Sequence, residues 1–359
     1  MPKKGGFMAK ILTIIVPVYN TEKYILRCFN SINNPAVNVI VVDDGSFDKS
    51  PEIIDEYCKK HDNFKVIHTQ NQGAATARVT GLKQVETKYF SFVDSDDIVN
   101  IDAYLDLVYK MDKENYKVGN GRMTVYLPDS SIPFNSRIWQ KEHLDFSKDK
   151  LEFSNVTCSL LDKIWHIDCA PLFMFESKQK VYEDMEIVYY VMAKNQIMVH
   201  SNDLIYSYCM RGLHGNSTCA IGLQETKSNG LDGLISAGFS MEDKFKEAGL
   251  YSEYKEKLDS IMIKLIHQRI FDILKSEKIL NKKEMAELVF KILNAVVPNW
   301  TQNKYLLSKF KGSEYNDLLF YIGTNILKRI YNVQISELES YENYDYLIDS
   351  YDKVIRLKK

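Results

Sequence analysis

A chain of 359 residues, 45% hydrophobic and 26% charged, has apolar content for a sizeable core and length for two domains or one with a large appendage. Its formal net charge of -2 gives no global attraction to nucleic acid, and no apolar run approaches the ~18–20 residues of a membrane span. Six Cys (Cys28, Cys58, Cys158, Cys169, Cys209, Cys219) include no C-x-x-C pair, which argues against a zinc site or disulfide framework and for free thiols in a reducing compartment. The basic start MPKKGGFMAK lacks the apolar core of a secretory signal, so a cytoplasmic protein is expected.

ILTIIV (11–16) is a short, β-branched apolar run and reads as a buried strand ending in PVYN. Ile25, Cys28, Phe29 and Ile32 then recur at helical spacing. NVIVV (38–42) is a second buried strand, followed by the polar turn DDGSFDKS, and Pro51 behind Ser50 marks a helix start. FKVIH (64–68) is a third strand, with NQGAATARVTGL leading into a helix. YFSFV (89–93) is a fourth and ends at DSDD. Such alternation implies parallel strands joined by right-handed crossovers, hence an open, mostly parallel α/β sheet flanked by helices.

The middle is less regular. VGNGRMTVYLPDSSIPF reads as a strand or hairpin with a loop, and VYEDMEIVYYVMAKN (181–195) as an amphipathic helix with an acidic start. From about 225, Gly and Pro thin out and long 3.6-period stretches dominate. The expected organisation is an α/β domain over 1–222 and a mostly helical region over 223–359.

Ligands of open parallel sheets bind outside the carboxyl ends of the strands. Those ends here carry Pro17, Tyr19 and Asn20; Asp43, Asp44, Gly45 and Ser46; Asn71, Gln72 and Gly73; and Asp94, Ser95, Asp96 and Asp97. Any one cluster alone would be a turn; four at one edge describe a binding cleft. In an extended segment residues two apart point the same way, so Asp94 and Asp96 can converge on one object. Two adjacent carboxylates repel unless a cation sits nearby, and Mg²⁺ or Mn²⁺ takes one or two carboxylates together with substrate phosphates. The competing reading of DSDD is a solvated loop capping the helix near Ile101. Asp43 can accept a hydrogen bond from a pyrimidine N3–H, Tyr19 can lie against the base, and Gly73 permits close backbone approach to a phosphate or ribose. Arg78 either pairs with a ligand anion or locks onto an acidic loop.

IIVPVYN, VIVVDDGS, NQGAATARVTG and YFSFVDSDD, in this order, resemble the inverting family-2 glycosyltransferases with the GT-A fold, of the bacterial surface-glycan type. The likeness is strong over 11–100 and weak over 100–220; Val79 stands where that family commonly has Asn. The resemblance implies that Pro17, Tyr19 and Asp43 hold the nucleobase, Asp94 the ribose, and Asp96 a Mn²⁺ or Mg²⁺ ion on the diphosphate. Asn20, Asn71, Gly73, Arg78 and Ser95 complete the nucleotide-sugar site. VYEDMEI looks like the family's Glu-Asp motif, which makes Asp184 the general base; a plain helix cap is the competing reading. YSYCMRGLHGNST (206–218) is similar to the segment closing over the diphosphate, with Arg211 matching a family Arg, Cys209 replacing another, and His214 as an extra metal or phosphate contact.

The implied activity is hexosyl transfer from a UDP-sugar to a glycan or lipid-linked glycan, with no role for nucleic acid. Other classes fit the motifs less well, among them a dinucleotide oxidoreductase, which needs G-x-G-x-x-G after strand one, and a haloacid-type phosphatase, which carries its Asp pair on the first strand. A sugar-phosphate nucleotidyltransferase needs a Gly-rich basic loop after strand one, which PVYNTEKY does not supply. A non-catalytic nucleotide-sugar-binding protein stays open as the alternative, since binding residues alone do not prove turnover; a decayed enzyme is expected to lose Asp184 and Arg211, and both are present. The tail carries apolar stripes (Ile261, Leu265, Ile266; Leu288, Ile292, Leu293), and its end places Tyr344, Leu347, Ile348, Tyr351 and Ile355 on one face with a basic finish. That pattern suits packing against the catalytic domain, homo-oligomer assembly, acceptor recognition or peripheral contact with the inner face of the cell membrane.

Overall fold

The computed structural model describes residues 10–127, 130–134, 142–148, 153, 156–174, 182–209, 231–277, 292–300 and 303. The chain divides into two compact units. One comprises Met1–Asp149, Thr157–Lys178 and Ile187–Gly215; the other comprises Lys150–Val156, Gln179–Glu186 and Asn216–Lys359.

The first unit is built on one mixed sheet. β1 (Leu12–Val18), β2 (Val37–Asp43), β3 (Phe64–His68) and β4 (Tyr89–Phe92) are parallel, in the order β3-β2-β1-β4. All seven residues of β1 are buried, as expected for a strand covered on both faces. α1 (Ile25–Ile32), α2 (Ser50–Lys60), α3 (Ala74–Leu82) and α4 (Ile101–Glu114) are interleaved with these strands, and α1 buries the four residues that its spacing marked. The sheet continues through β9 (Lys163–His166), β6 (Val118–Leu127) and β10 (Ile197–Cys209) to β5 (Ile98–Val99). β9 runs antiparallel to β4 and β6, while β10 runs parallel to β6. β7 (Ser130–Phe134) forms a hairpin with β6, and β8 (His143–Asp145) pairs with β10. The short α5 (Ala170–Phe173) precedes α6 (Glu183–Asn195).

Local details depart from sequence expectation at helix starts. Asn100, not the acidic loop, caps α4, its side chain accepting from the Ala103 N–H. Ser50 does not cap α2; its hydroxyl accepts the N–H of Thr21, and Asp48 accepts the N–H of Ser50. The hydroxyl was thereby moved from a cap to a tie between two loops.

In the second unit, α7 (Leu231–Glu247) and α8 (Tyr251–Glu277) pack against each other, with the Phe245 and Tyr254 rings 5.5 Å apart, and Leu234, Ile235, Met241 and Leu258 are buried. Ile261, Ile266, Ile292 and Leu293 are buried as well, while Leu265 is half-buried. The amphipathic end at 344–355 and Leu288 lie outside the described residues. Among the described residues no helix is long and apolar enough to cross a membrane, and the five described Cys are free thiols.

Candidate functional site

Parallel pairing of β1, β2, β3 and β4 brings four loops to one edge of the sheet, and hydrogen bonds join them in series. Between the β1 and β2 loops, Asn20 donates its N–H to Ser46 Oγ (3.0 Å) and accepts the Phe47 N–H on Oδ1 (2.9 Å). Asn20 has φ 53°, a left-handed conformation that Asn tolerates better than most residues. The Asp44 N–H reaches Val18 O at 2.8 Å. Tyr19 is 45% exposed and meets the 82% exposed Phe47 edge to face at 6.0 Å, so an open aromatic surface stands beside these ties. Pro17 is buried within β1.

Between the β2 and β3 loops, Asp44 spends both oxygens: Oδ1 accepts from Gln72 N–H (2.9 Å) and Thr69 Oγ1 (3.3 Å), and Oδ2 from Gly73 N–H (2.8 Å). Gly45 has φ 71°, and a Cβ there would sit 2.8 Å from the Asn71 nitrogen, so this approach requires Gly. Gly73 has φ 93° at the start of α3, and Asn71 beside it is exposed. Asp43 is buried; its Oδ1 accepts the Ser46 N–H (3.1 Å) and its Oδ2 faces His68 Nδ1 (2.9 Å). The Asp43 bond holds His68 above its ordinary value, helped by Asp55 at 3.3 Å from Nε2. A carboxylate offers about four acceptor positions, so Asp43 retains capacity for a further donor.

The β4 loop carries the acidic group. Arg78 on α3, buried, donates from Nη2 to Asp94 Oδ1 at 2.9 Å, which is the loop-locking alternative for this residue. Arg27 on α1 donates to the Asp96 carbonyl at 2.7 Å. The Asp97 N–H bonds to Asp94 O at 3.0 Å, so 94–97 is a turn with Ser95 and Asp96 at its apex. Ser95 is buried and Asp96 half-buried. Asp97 is fully buried, and burial first, then the charges of Asp96 and Asp94, push its carboxyl well above the usual range. The same three Asp raise the Cys28 thiol, after burial itself.

This crowding of hard oxygen donors fits a divalent cation of the Mg²⁺ or Mn²⁺ class. Among the described residues no group of three or more His, Cys, Asp and Glu could hold a metal. An ion at Asp96 would therefore complete its shell with water and ligand phosphate, the habit of this class.

Ten residues anticipated for the site thus lie on or beside the four loops of the first unit: Pro17, Tyr19, Asn20, Asp43, Asn71, Gly73, Arg78, Asp94, Ser95 and Asp96. Asp184 is half-buried at the second position of α6 and belongs to the second unit. Arg211 and His214 lie outside the described residues. The sequence places Asp44 and Asp97 in the strand-end clusters and Tyr206 at the start of the 206–218 segment without an individual role for any of them, and it does not mark Arg27 at all.

The model for Glycosyl transferase family 2 matches residues 13–168. GlyG of Streptococcus pneumoniae serotype 4, a glycosyltransferase, is 38% identical over 96 residues, 26% of this chain and 32% of that protein. EpsJ of Bacillus subtilis, an uncharacterized glycosyltransferase, is 40% identical over 96 residues, 26% of this chain and 28% of that protein. The minor teichoic acid biosynthesis protein GgaB of Bacillus subtilis is 26% identical over 208 residues, 55% of this chain and 23% of that protein. Each match thus spans less than a third of the curated relative's own length. Among solved structures, S. aureus TarS 1-349 in complex with UDP aligns with TM-score 0.59 at 17% identity, covering 93% of this chain and 95% of that one. The mannosyltransferase PcManGT from Pyrobaculum calidifontis, in complex with GDP-Man and Mn2+, aligns with TM-score 0.54 at 14% identity, covering 98% and 89%. At these identities the likeness is one of fold.

Proposed function

We propose that this chain, whose residues 13–168 are a family-2 glycosyltransferase domain on a GT-A fold, moves a hexose-type sugar from a UDP-sugar to a hydroxyl of a glycan or lipid-linked glycan, with inversion. The observation that carries the reading is the hydrogen-bonded series of four strand-end loops, which gathers an aromatic surface, a buried carboxylate and an acidic turn on one sheet edge. UDP in TarS, GDP-Man and Mn2+ in PcManGT, and the teichoic acid role named for GgaB support a nucleotide-sugar donor and a surface-glycan acceptor.

Tyr19 lies against the nucleobase and Asp43 accepts its ring N–H, with His68 behind that carboxylate fixing its orientation. Asp94, steadied by Arg78, accepts from the ribose, and the Asn71–Gly73 backbone lines the approach. Asp96, with Asp94 beside it, would hold Mn²⁺ or Mg²⁺, and that ion would supply positive charge against the diphosphate. Asp184 takes the proton from the acceptor hydroxyl as that oxygen attacks the anomeric carbon, and Arg211 steadies the leaving diphosphate, with His214 as an auxiliary contact. Catalysis belongs to 1–222, and 223–359 serves acceptor recognition or assembly, including self-association or peripheral contact with the inner membrane face.

A panel of nucleotide sugars with Mn²⁺ or Mg²⁺, scored for donor hydrolysis and transfer, tests this function. A UDP-sugar should be consumed only with metal, and NMR of the product from an α-linked donor should show a β-linkage. Metal-independent consumption or a retained α-linkage would overturn the mechanism.

A further inference from the structure

The acidic turn is held from a strand far away in the chain. Tyr206 on β10 is fully buried, and its hydroxyl stands between two members of the turn. It accepts the N–H of Asp94 at 3.1 Å and donates to Asp97 Oδ2 at 2.6 Å. Because a backbone N–H can only donate, the hydroxyl oxygen receives from Asp94 and its proton is directed to Asp97. The second oxygen of Asp97 accepts the N–H of Cys209 at 2.7 Å, at the end of the same strand. The Asp97 N–H closes the turn on Asp94 O, and Arg27 holds the Asp96 carbonyl from the α1 side. The apex residues are thus fixed by anchors on either flank.

From this geometry we infer that Tyr206 and Asp97 are positioning residues for metal-dependent donor binding. They act through Asp96 and Asp94, setting where the metal-holding carboxylate stands and tying the acidic turn to β10. The inference rests on the donor reading above and adds two residues to it. A simple structural staple would cost stability alone; a positioning pair also sets metal affinity. Substitutions behind a metal ligand commonly cost 10–100-fold in metal affinity.

Tyr206→Phe separates these roles, since it keeps the buried ring and removes only the shared hydroxyl. Full-length wild type and variant would be titrated with UDP by calorimetry, with and without Mn²⁺, and with Mn²⁺ at fixed UDP. The expected result is a Mn²⁺ midpoint raised ~10-fold or more, with UDP affinity in the absence of Mn²⁺ within ~2-fold of wild type. Asp97→Asn, which keeps an oxygen for the Cys209 N–H, should shift the midpoint in the same direction and serves if Tyr206→Phe does not fold. A folded variant with a wild-type Mn²⁺ midpoint, whatever its melting temperature, overturns the positioning role while leaving the donor reading intact. Wild-type protein that binds neither UDP nor Mn²⁺ would remove the donor reading and this role with it.

Discussion

Asp43 and Asp44 are adjacent carboxylates with opposite duties. Asp44 accepts from Thr69, Gln72 and Gly73 and so ties two loops, whereas Asp43 keeps acceptor capacity beside His68. A motif shows that two Asp stand together; only the placement of donors shows which one is occupied. Asp184 is separable in the same way, by the difference between a helix start and a base. Asp184→Asn keeps the size and capping ability of the side chain and removes the proton acceptor. Folding and UDP binding should survive while transfer falls ~10²–10⁴-fold, measured as turnover against thermal stability. An unchanged rate would exclude the base role, and loss of folding would favour the cap. The polar end of the fourth strand was legible as a cluster, but the extended, period-two geometry expected to aim Asp94 and Asp96 alike does not form: 94–97 closes as a turn and Asp94 Oδ1 accepts from Arg78. Arg27 and Tyr206 were not legible, because their contacts to the turn depend on α1 and β10 packing across long sequence separations.

At the scale of elements, β1 to β4 and α1 to α3 were readable because buried parallel strands are written as continuous apolar runs closed by polar turns. β9 and β10 were not read as strands. β10 mixes buried and exposed positions and changes register twice against β6, so neither alternation nor a continuous apolar run marks it. A buried polar chain starts from it. His200 Nδ1 meets Asn120 Oδ1 at 2.7 Å, Asn120 Nδ2 donates to Asp162 at 3.0 Å, and the fully buried Asp162 and Lys163 pair at 2.6 Å. Burial pulls His200 down to about 4 from its ordinary 6.5. An unfolded chain therefore takes up this proton first as pH falls through 6.5, and the folded chain only near 4. Stability should fall across that window by on the order of 3 kcal/mol from this residue. Urea unfolding at pH 7.5 and pH 5 should show a smaller loss in His200→Gln than in wild type. Equal losses would exclude His200 as a source of acid sensitivity.

At the scale of the whole chain, the motifs of the proposed donor site all precede residue 220, and the residues after about 225 carry none of them. The division by contacts is more interleaved than a cut near 222, since 150–156 and 179–186 cluster with the helices of the second unit. Such exchange of short segments leaves no compositional mark, which is why a sequence boundary follows the change of character near 225. Asp184 lies in one of those segments, so it falls in the second unit although it stands before the boundary expected near 222. The claim on which everything else rests is that the acidic turn receives a metal-bound nucleotide diphosphate. Crystals of the full chain grown with UDP and Mn²⁺, measured at the manganese absorption edge, address it directly. The account predicts an anomalous peak ~2–2.5 Å from an Asp96 carboxylate oxygen, with the diphosphate on its far side and the uracil against Tyr19. Bound UDP with the peak elsewhere, or UDP bound away from these four loops, would contradict it.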